Sequence, residues 1–168
     1  MGVHEMVIRT ATPEEYAAIG ELTVDVYVGE GYVPAGSPYA AELADTVRRA
    51  AAAQVLVAVH DDRVIGSLTV ARYGMPYAEI AGPGELEFRM LAVDKRARGL
   101  GAGTALVRTV IELAAAESCE AVALTTMPAM VDARRIYDRF GFVAVPERDW
   151  TTPAGELLTV LRLDLAES

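Results

Sequence analysis

A strand, a glycine-rich turn and a helix follow one another in residues 91–107, and this succession constrains the fold more than any other segment. Three glycines, Gly99, Gly101 and Gly103, separate an apolar strand end from an apolar-periodic helix that we expect to begin near Thr104. Glycine lets the backbone approach a ligand closely, and the first N–H groups of a helix have no partner within it. The segment therefore predicts a strand–loop–helix unit that binds a pyrophosphate.

The glycine spacing separates this segment from two other phosphate-binding loops. A dinucleotide-binding loop reads G-x-G-x-x-G, with an acidic residue about 20 positions later at the end of the next strand. Here the spacing is G-x-G-x-G, and the acidic residues Glu117 and Glu120 precede the next expected strand. A Walker loop needs Gly-Lys-Ser/Thr, and no lysine follows these glycines.

The composition argues against several classes of protein. A net charge of −9 repels nucleic-acid phosphates, so we expect no nucleic acid as a partner. No apolar run is long enough to span a membrane, and no secretion signal is evident. The single cysteine, Cys119, excludes an intrachain disulfide and indicates the cytoplasm. His4 and His60 stand apart, so we expect no bound metal.

Apolar periodicity and turn residues predict the order β-α-α-β-β-β-α-β-α-β-β. This order is typical of an α/β domain with a mixed sheet. Because a helix connects the strand at 85–93 to the strand at 121–126, these two strands should be parallel. The other predicted strands are 6–9, 54–60, 64–73, 143–148 and 157–164, and the predicted helices are 13–28, 37–53, 104–117 and 132–140.

Two short patterns resemble one known family. Arg98, Gly101 and Gly103 match the acyl-CoA loop Arg/Gln-x-x-Gly-x-Gly/Ala, and residues 133–142 match Ala-x-x-x-Tyr-x-x-x-Gly-Phe. Both patterns, in this order, are similar to those of the GNAT N-acetyltransferases. The resemblance implies one N-acetyltransferase domain over residues 1–168. Its mixed, mostly antiparallel sheet would have a parallel, splayed central strand pair flanked by helices.

The resemblance also implies that acetyl-CoA is the cofactor. Its pantetheine arm would lie between the splayed strands and pair with their backbone, and its pyrophosphate would lie on the glycine turn. Arg96 or Lys95 would reach the outer phosphate, although a solvated basic loop explains these residues equally well. The predicted cofactor-binding residues are Leu91, Ala92, Val93, Arg98, Gly99, Leu100, Gly101, Ala102, Gly103 and Thr104.

The same resemblance makes Tyr137 the acid that protonates the departing thiolate, with a core aromatic as the alternative. Glu87 is the first candidate for the general base and Glu85 the second. By period-two alternation both glutamates share a face of their strand with Arg89, while Leu86, Phe88 and Met90 share the other. An ion pair with Arg89, or a glutamate that only binds substrate, is an equally good explanation of Glu87.

The acceptor is expected to be a primary amine, and the leading hypothesis is that it belongs to a small molecule. Its pocket would form from the first two helices, their loop and residues 74–84. The alternatives are a protein N-terminus or lysine, an acyl-CoA-binding module without turnover and, more remotely, a dinucleotide-binding oxidoreductase. We expect the chain to be either a monomer or a homodimer. The pocket region carries Tyr27, Tyr32, Tyr39, Tyr73 and Tyr77.

Overall fold

A computed structural model describes residues 5–153 and 155–165 of the chain, so His4 lies outside the described part. One path of hydrogen-bonded strands runs β1-β2-β3-β4-β5-β8-β6, and β7 pairs with β8 off this path. The strands are β1 (Val7–Thr10), β2 (Gln54–His60), β3 (Arg63–Arg72), β4 (Glu85–Val93), β5 (Ala121–Thr126), β6 (Val143–Ala144), β7 (Trp150–Thr151) and β8 (Leu157–Asp164).

Helices cover both faces of this sheet. Short 3-10 turns lie at Pro13–Glu15, Lys95–Ala97 and Pro146–Arg148. The α-helices are α1 (Tyr16–Tyr27), α2 (Pro38–Ala44), α3 (Thr46–Ala52), α4 (Ala102–Ala116) and α5 (Val131–Phe140). Among the described helices, none has both the length and the apolar character that crossing a membrane requires.

The pair β4–β5 is parallel, and the other pairs among the described strands are antiparallel. Helix α4 connects the two parallel strands and packs, with α5, in a cluster around Leu106, Phe88 and Phe142. Helices α1 and α2 pack on the opposite face around Val26 and Leu43. The predicted fold class and the parallel central pair are confirmed.

Strand β4 contains an irregularity that sequence alternation misses. Met90 has φ +60°, and the register of β4 on β3 shifts beside it. A bulge of this kind adds a residue to one strand and reverses the side to which the following side chains point. The prediction that Met90 shares a face with Phe88 is therefore wrong, because Met90 packs with Tyr27 and Leu43.

Two predicted element boundaries are also wrong. The helix expected over 37–53 is interrupted at Asp45, whose carboxylate accepts a hydrogen bond from Arg48 N and so caps the new helix α3. The strand expected over 143–148 ends at Ala144, because Pro146 cannot donate to a strand ladder and begins a 3-10 turn instead.

Candidate functional site

Strands β4 and β5 run side by side only over the first part of their length. Their parallel pairing ends with Phe88 opposite Leu124, whereas the strands continue to Val93 and Thr126. Beyond the last pair, the facing backbone groups are free of one another and can pair with an extended ligand. The central strand pair is splayed, as predicted.

The glycine turn directly precedes the N-terminus of α4. Gly99 has φ +99° and Gly101 has φ +84°, conformations that L side chains rarely adopt. A Cβ on Gly103 would lie 2.7 Å from Ile136 Cδ1, so this glycine also lets α4 approach α5 closely. Helix α4 begins at Ala102, two residues before the predicted start.

A cavity of about 410 Å³ lies where the parted strand ends meet the glycine turn. All the predicted cofactor-binding residues line it except Ala92 and Leu100. Ala92 is buried in the core with α1 and α2, and Leu100 is 49% exposed. The residues that line it from other elements are Val26, Glu30, Tyr32, Met130, Asp132, Ala133, Arg135, Ile136 and Arg139.

Positive charge in the cavity comes partly from Arg98. Its Nη2 lies 2.6 Å from Glu30 Oε2. Arg96 and Lys95 do not line the cavity, and the side chain of Arg96 is 79% exposed and paired with Asp94. The structure thus favours Arg98 over Arg96 as the loop cation that faces a bound anion.

Two further cations of the cavity were not predicted as site residues. Arg135 and Arg139 lie one turn apart on α5, and Arg135 Nη1 is 3.3 Å from Asp132 Oδ1. Their i,i+4 spacing within the second family pattern was the available signal. Together with Arg98, they bring three arginines to the cavity lining, where Glu30 pairs with Arg98 and Asp132 pairs with Arg135.

Tyr137 is 4% exposed and lies in an aromatic cluster rather than on the cavity lining. Its ring centroid is 5.9 Å from that of Phe88 and 5.9 Å from that of Phe142. Burial raises the pKa of the Tyr137 phenol, so the hydroxyl keeps its proton at neutral pH. Tyr137 therefore contributes to the core and meets the protonation requirement of an acid.

Glu87 is fully buried on the face of β4 opposite that cluster. Its Oε1 accepts hydrogen bonds from three consecutive backbone N–H groups, those of Glu79, Ile80 and Ala81, at 2.9–3.1 Å. Its Oε2 has no hydrogen-bond partner among the residues that the structure describes. Burial raises the pKa of Glu87, and the three N–H bonds and the charge of Arg89 oppose this effect only in part.

Glu85 occupies a different environment. Arg148 and Arg162 both donate to its carboxylate at 2.8–2.9 Å, as does the Gly82 N–H. Burial raises the pKa of Glu85, but these hydrogen bonds outweigh it and hold the pKa at about 2. A carboxylate of such low basicity, fully engaged by its partners, is a weaker candidate for a general base than Glu87.

The tyrosines predicted around the acceptor pocket occupy different surroundings. Tyr32 lines the cavity, whereas Tyr73 is 57% exposed. Tyr39 and Tyr77 both approach Arg89, whose Cζ lies 6.0 Å from the Tyr39 ring centroid and whose Nη1 donates to Tyr77 O at 3.1 Å. These contacts bring α2 and the segment 74–84 together over strand β4.

Comparison with known proteins identifies a family and several relatives by fold. A family model described as "Acetyltransferase (GNAT) family" matches residues 17–142. An acetyltransferase of the GNAT family from Staphylococcus aureus Mu50 has a TM-score of 0.76 at 16% identity, covering 96% of this chain and 100% of that one. A GNAT family acetyltransferase from Brucella melitensis, solved in complex with acetyl-CoA, has a TM-score of 0.67 at 22% identity, covering 99% and 92%.

One curated relative is similar over a shorter stretch. The N-acetylaspartate synthetase of Danio rerio is 39% identical over 69 residues, which are 40% of this chain and 24% of the relative. The matched stretch therefore spans about a quarter of that protein's length.

Proposed function

The chain belongs to the acetyltransferase (GNAT) family, and we propose that it transfers the acetyl group of acetyl-CoA to a primary amine of a small molecule. The observation that carries the proposal is the 410 Å³ cavity, which joins the parted ends of β4 and β5 to the glycine turn and three arginines. An extended arm that ends in a pyrophosphate fits such a cavity in both shape and charge.

Each part of the cofactor has a matching part of the cavity. The pantetheine arm pairs with backbone groups of Leu91, Ala92 and Val93 on the free edge of β4. The backbone N–H groups of Gly99 and of residues 101–104, at the N-terminus of α4, bind the pyrophosphate, whereas those of Arg98 and Leu100 already donate to the carbonyl oxygens of Lys95 and Ala97. Arg98, Arg135 and Arg139 line the cavity and balance the phosphate charges.

The reaction needs the acceptor amine in its neutral form. An alkylamine with a pKa of about 10.4 is only about one part in two thousand neutral at pH 7, which costs roughly 4.6 kcal/mol without assistance. Glu87 is the proposed base, acting directly or through a water molecule. Its Oε2 has no hydrogen-bond partner among the described residues, and its pKa is raised, so Glu87 is able to accept a proton.

Acyl transfer then proceeds by direct attack in a ternary complex. The neutral amine nitrogen forms a bond to the thioester carbon, and the C–S bond breaks with its electron pair on sulfur. Tyr137 supplies the proton that the thiolate takes up, and the proton that the nitrogen loses as the amide forms restores the Tyr137 phenol. A backbone N–H near Leu91 or Ala92 stabilises the developing oxyanion. Glu85, held by two arginines, remains the second candidate for the base.

A small acceptor is favoured by the way in which segment 74–84 covers strand β4. Three of its backbone N–H groups bind Glu87, and Arg148 Nη2 donates to Ile80 O at 2.6 Å. A segment that is held over the site by hydrogen bonds restricts the access of large acceptors more than an open groove does. The name of the curated relative, N-acetylaspartate synthetase, also refers to a small acetylated amine. The rival acceptor is a protein N-terminus or lysine.

We propose that the chain acts in the cytoplasm. We also propose to test whether it forms a homodimer. Cys119 is the single cysteine of the chain, and its free thiol fits a reducing environment. Size-exclusion chromatography with light scattering measures the assembly directly.

An amine screen with acetyl-CoA tests the proposed function. The purified chain should release CoA thiol at a rate that depends on a small primary amine, and it should do so with amines better than with peptides. Faster release with peptide N-termini or lysines would support the rival acceptor. Tight CoA binding with no release against any amine would indicate a binding module and contradict the proposal.

Arg98→Ala should weaken CoA binding by more than about tenfold, because a charge-assisted hydrogen bond contributes about 1.5–3 kcal/mol. Arg96→Ala is the matched control and should change the Kd by less than about twofold, since its side chain is 79% exposed and outside the cavity. Calorimetric titration with CoA measures both. Equal, small effects of the two substitutions on the Kd for CoA would show that Arg98 does not bind CoA.

A further inference from the structure

Two buried arginines lie on the α1–α3 face of the sheet, outside the cavity that we assign to the cofactor. Arg49 is 1% exposed, and the side chain of Arg89 is 10% exposed. Burying a cation is costly unless its charge is balanced and its N–H groups are hydrogen-bonded. The partners of these two guanidinium groups therefore indicate whether the face is complete without a ligand.

Arg49 has no carboxylate partner in the part of the chain that the structure describes. Its Nη1 donates to the carbonyl oxygens of Glu42 and Leu43 at 2.8 and 2.7 Å, at the C-terminal end of α2. Its Nε is buried and has no hydrogen-bond partner within residues 5–153 and 155–165. One of the donors of a fully buried guanidinium is thus left unused, although the helix end partly balances its charge.

Arg89 is only partly balanced. Its nearest carboxylate, that of Glu79, lies at 3.4 Å on the covering segment and is itself 41% exposed. Directly opposite Arg89 on β3 is Thr69, whose buried hydroxyl also lacks a hydrogen-bond partner in the described part of the chain. Residues opposite one another in an antiparallel pair point to the same face, so this hydroxyl and Arg89 lie side by side.

Helix α2 connects the two arginines. Its first turn carries Tyr39, which lies against Arg89, and its last turn carries the Leu43 carbonyl that Arg49 binds. These positions are about one helical turn apart, or roughly 6 Å along the axis. Burial is the largest effect on the pKa of Arg49 and lowers it, whereas Tyr77, Tyr39 and Asp45 raise it. The charge of Arg89 also lowers this pKa, so the two guanidinium groups lie near enough to affect one another.

The face thus presents the N–H donors of two arginines and the Thr69 hydroxyl, which has no hydrogen-bond partner among the described residues. Glu87 lies two residues before Arg89 on the same strand, and its Oε2 has no such partner either. We propose that the acceptor amine carries a carboxylate, which Arg49 and Arg89 hold while its amino group faces Glu87. A planar carboxylate matches the forked geometry of a guanidinium and supplies the missing acceptor atoms. The substrate class is therefore an amino acid or a similar amino-carboxylate, and this inference rests on the proposed function.

The core cluster that contains Leu43 joins this carboxylate site to the cofactor cavity. Val26 and Met130 line the cavity and also belong to, or pack against, that cluster. The last parallel pair of β4 and β5 is Phe88 with Leu124, so Glu87 and Arg89 lie on either side of the point where these strands part, and an acceptor held between them lies beside that point. Segment 74–84 contacts Arg89 through Tyr77 and Glu79 and would open to admit the acceptor.

Matched acceptors test the inference on the unmodified chain. Each pair consists of an amino acid and its carboxamide, which keeps the size and the amine but lacks the negative charge. We expect kcat/KM to be about 10- to 100-fold higher for the acids, as for the loss of one to two charge-assisted hydrogen bonds. Equal kcat/KM values for acids and amides would overturn the carboxylate site.

Variants then assign the preference to the two arginines. Arg89→Gln and Arg49→Gln should bring the acid-to-amide ratio close to one, whereas the exposed neighbour Arg48, changed to Gln, should leave it unaltered. An unchanged ratio in Arg89→Gln would overturn the assignment. If Arg49→Gln does not fold, the acid-to-amide ratios of the wild type and of Arg89→Gln still test the carboxylate site. Absence of thiol release with every amine would contradict the proposed function itself, whereas release without acid preference contradicts only this inference.

Discussion

Tyr137→Phe should lower kcat by about 10²–10⁴-fold and leave the affinity for acetyl-CoA nearly unchanged. The phenyl ring preserves the contacts with Phe88 and Phe142, whose centroids are each 5.9 Å away, so the core should remain intact. The substitution removes only the proton that the departing thiolate requires. Steady-state thiol release and calorimetric titration measure the two quantities separately.

The matched control is Tyr73→Phe, since Tyr73 is 57% exposed and its hydroxyl has no assigned role. It should retain the full rate. Turnover of Tyr137→Phe close to that of the wild type would make Tyr137 a packing residue and leave the thiolate to be protonated by water. A loss of folding, detected by circular dichroism, is not expected because phenylalanine keeps the ring contacts with Phe88 and Phe142.

Glu87→Gln should slow turnover at neutral pH by about 10²-fold or more, because the amide cannot accept the proton of the amine. In the wild type, the ionised carboxylate is the active form, so kcat/KM should increase as pH rises through the pKa of Glu87. Burial raises that pKa, so this increase should occur above the pH range of an ordinary glutamate. The exposed Glu112, changed to Gln, serves as the control.

Higher pH should recover part of the lost rate in Glu87→Gln, because solvent increasingly deprotonates the amine itself. Tyr137→Phe should show no such recovery, since higher pH supplies no acid. A flat, undiminished pH–rate profile in Glu87→Gln would transfer the role of base to Glu85 or to a chain of water molecules. The contrast between the two profiles separates the base from the acid.

The sequence predicts the sheet well where period-two patterns and turn residues agree. Strands β5 and β8 have the expected boundaries, and the glycine turn precedes α4 as expected. The bulge at Met90 could not be predicted, because an apolar side chain gives no indication that its residue has a positive φ. Tertiary packing imposes this conformation. The interruption at Asp45 could have been recognised, because aspartate is a preferred N-cap residue.

The site was less accessible to sequence reasoning. Family patterns indicated the glycine turn and Tyr137, and most of the predicted cofactor residues do line one cavity. Local spacing could not show that Glu85 is engaged by Arg148 and Arg162, because these arginines are 63 and 77 residues away in the chain. The buried Arg49 likewise resembles any basic residue on a short helix. Long-range contacts of this kind become visible only in the folded chain.

The most direct test of acetyl transfer is a comparison of two products in the same reaction. The chain is incubated with acetyl-CoA and the best amine of the screen, and CoA thiol and acetylated amine are measured over time, by a thiol reagent and by mass spectrometry. Transfer by direct attack predicts that the two products appear in a one-to-one ratio and that both depend on the amine. CoA thiol without acetylated amine, at a rate independent of the amine, would contradict the account.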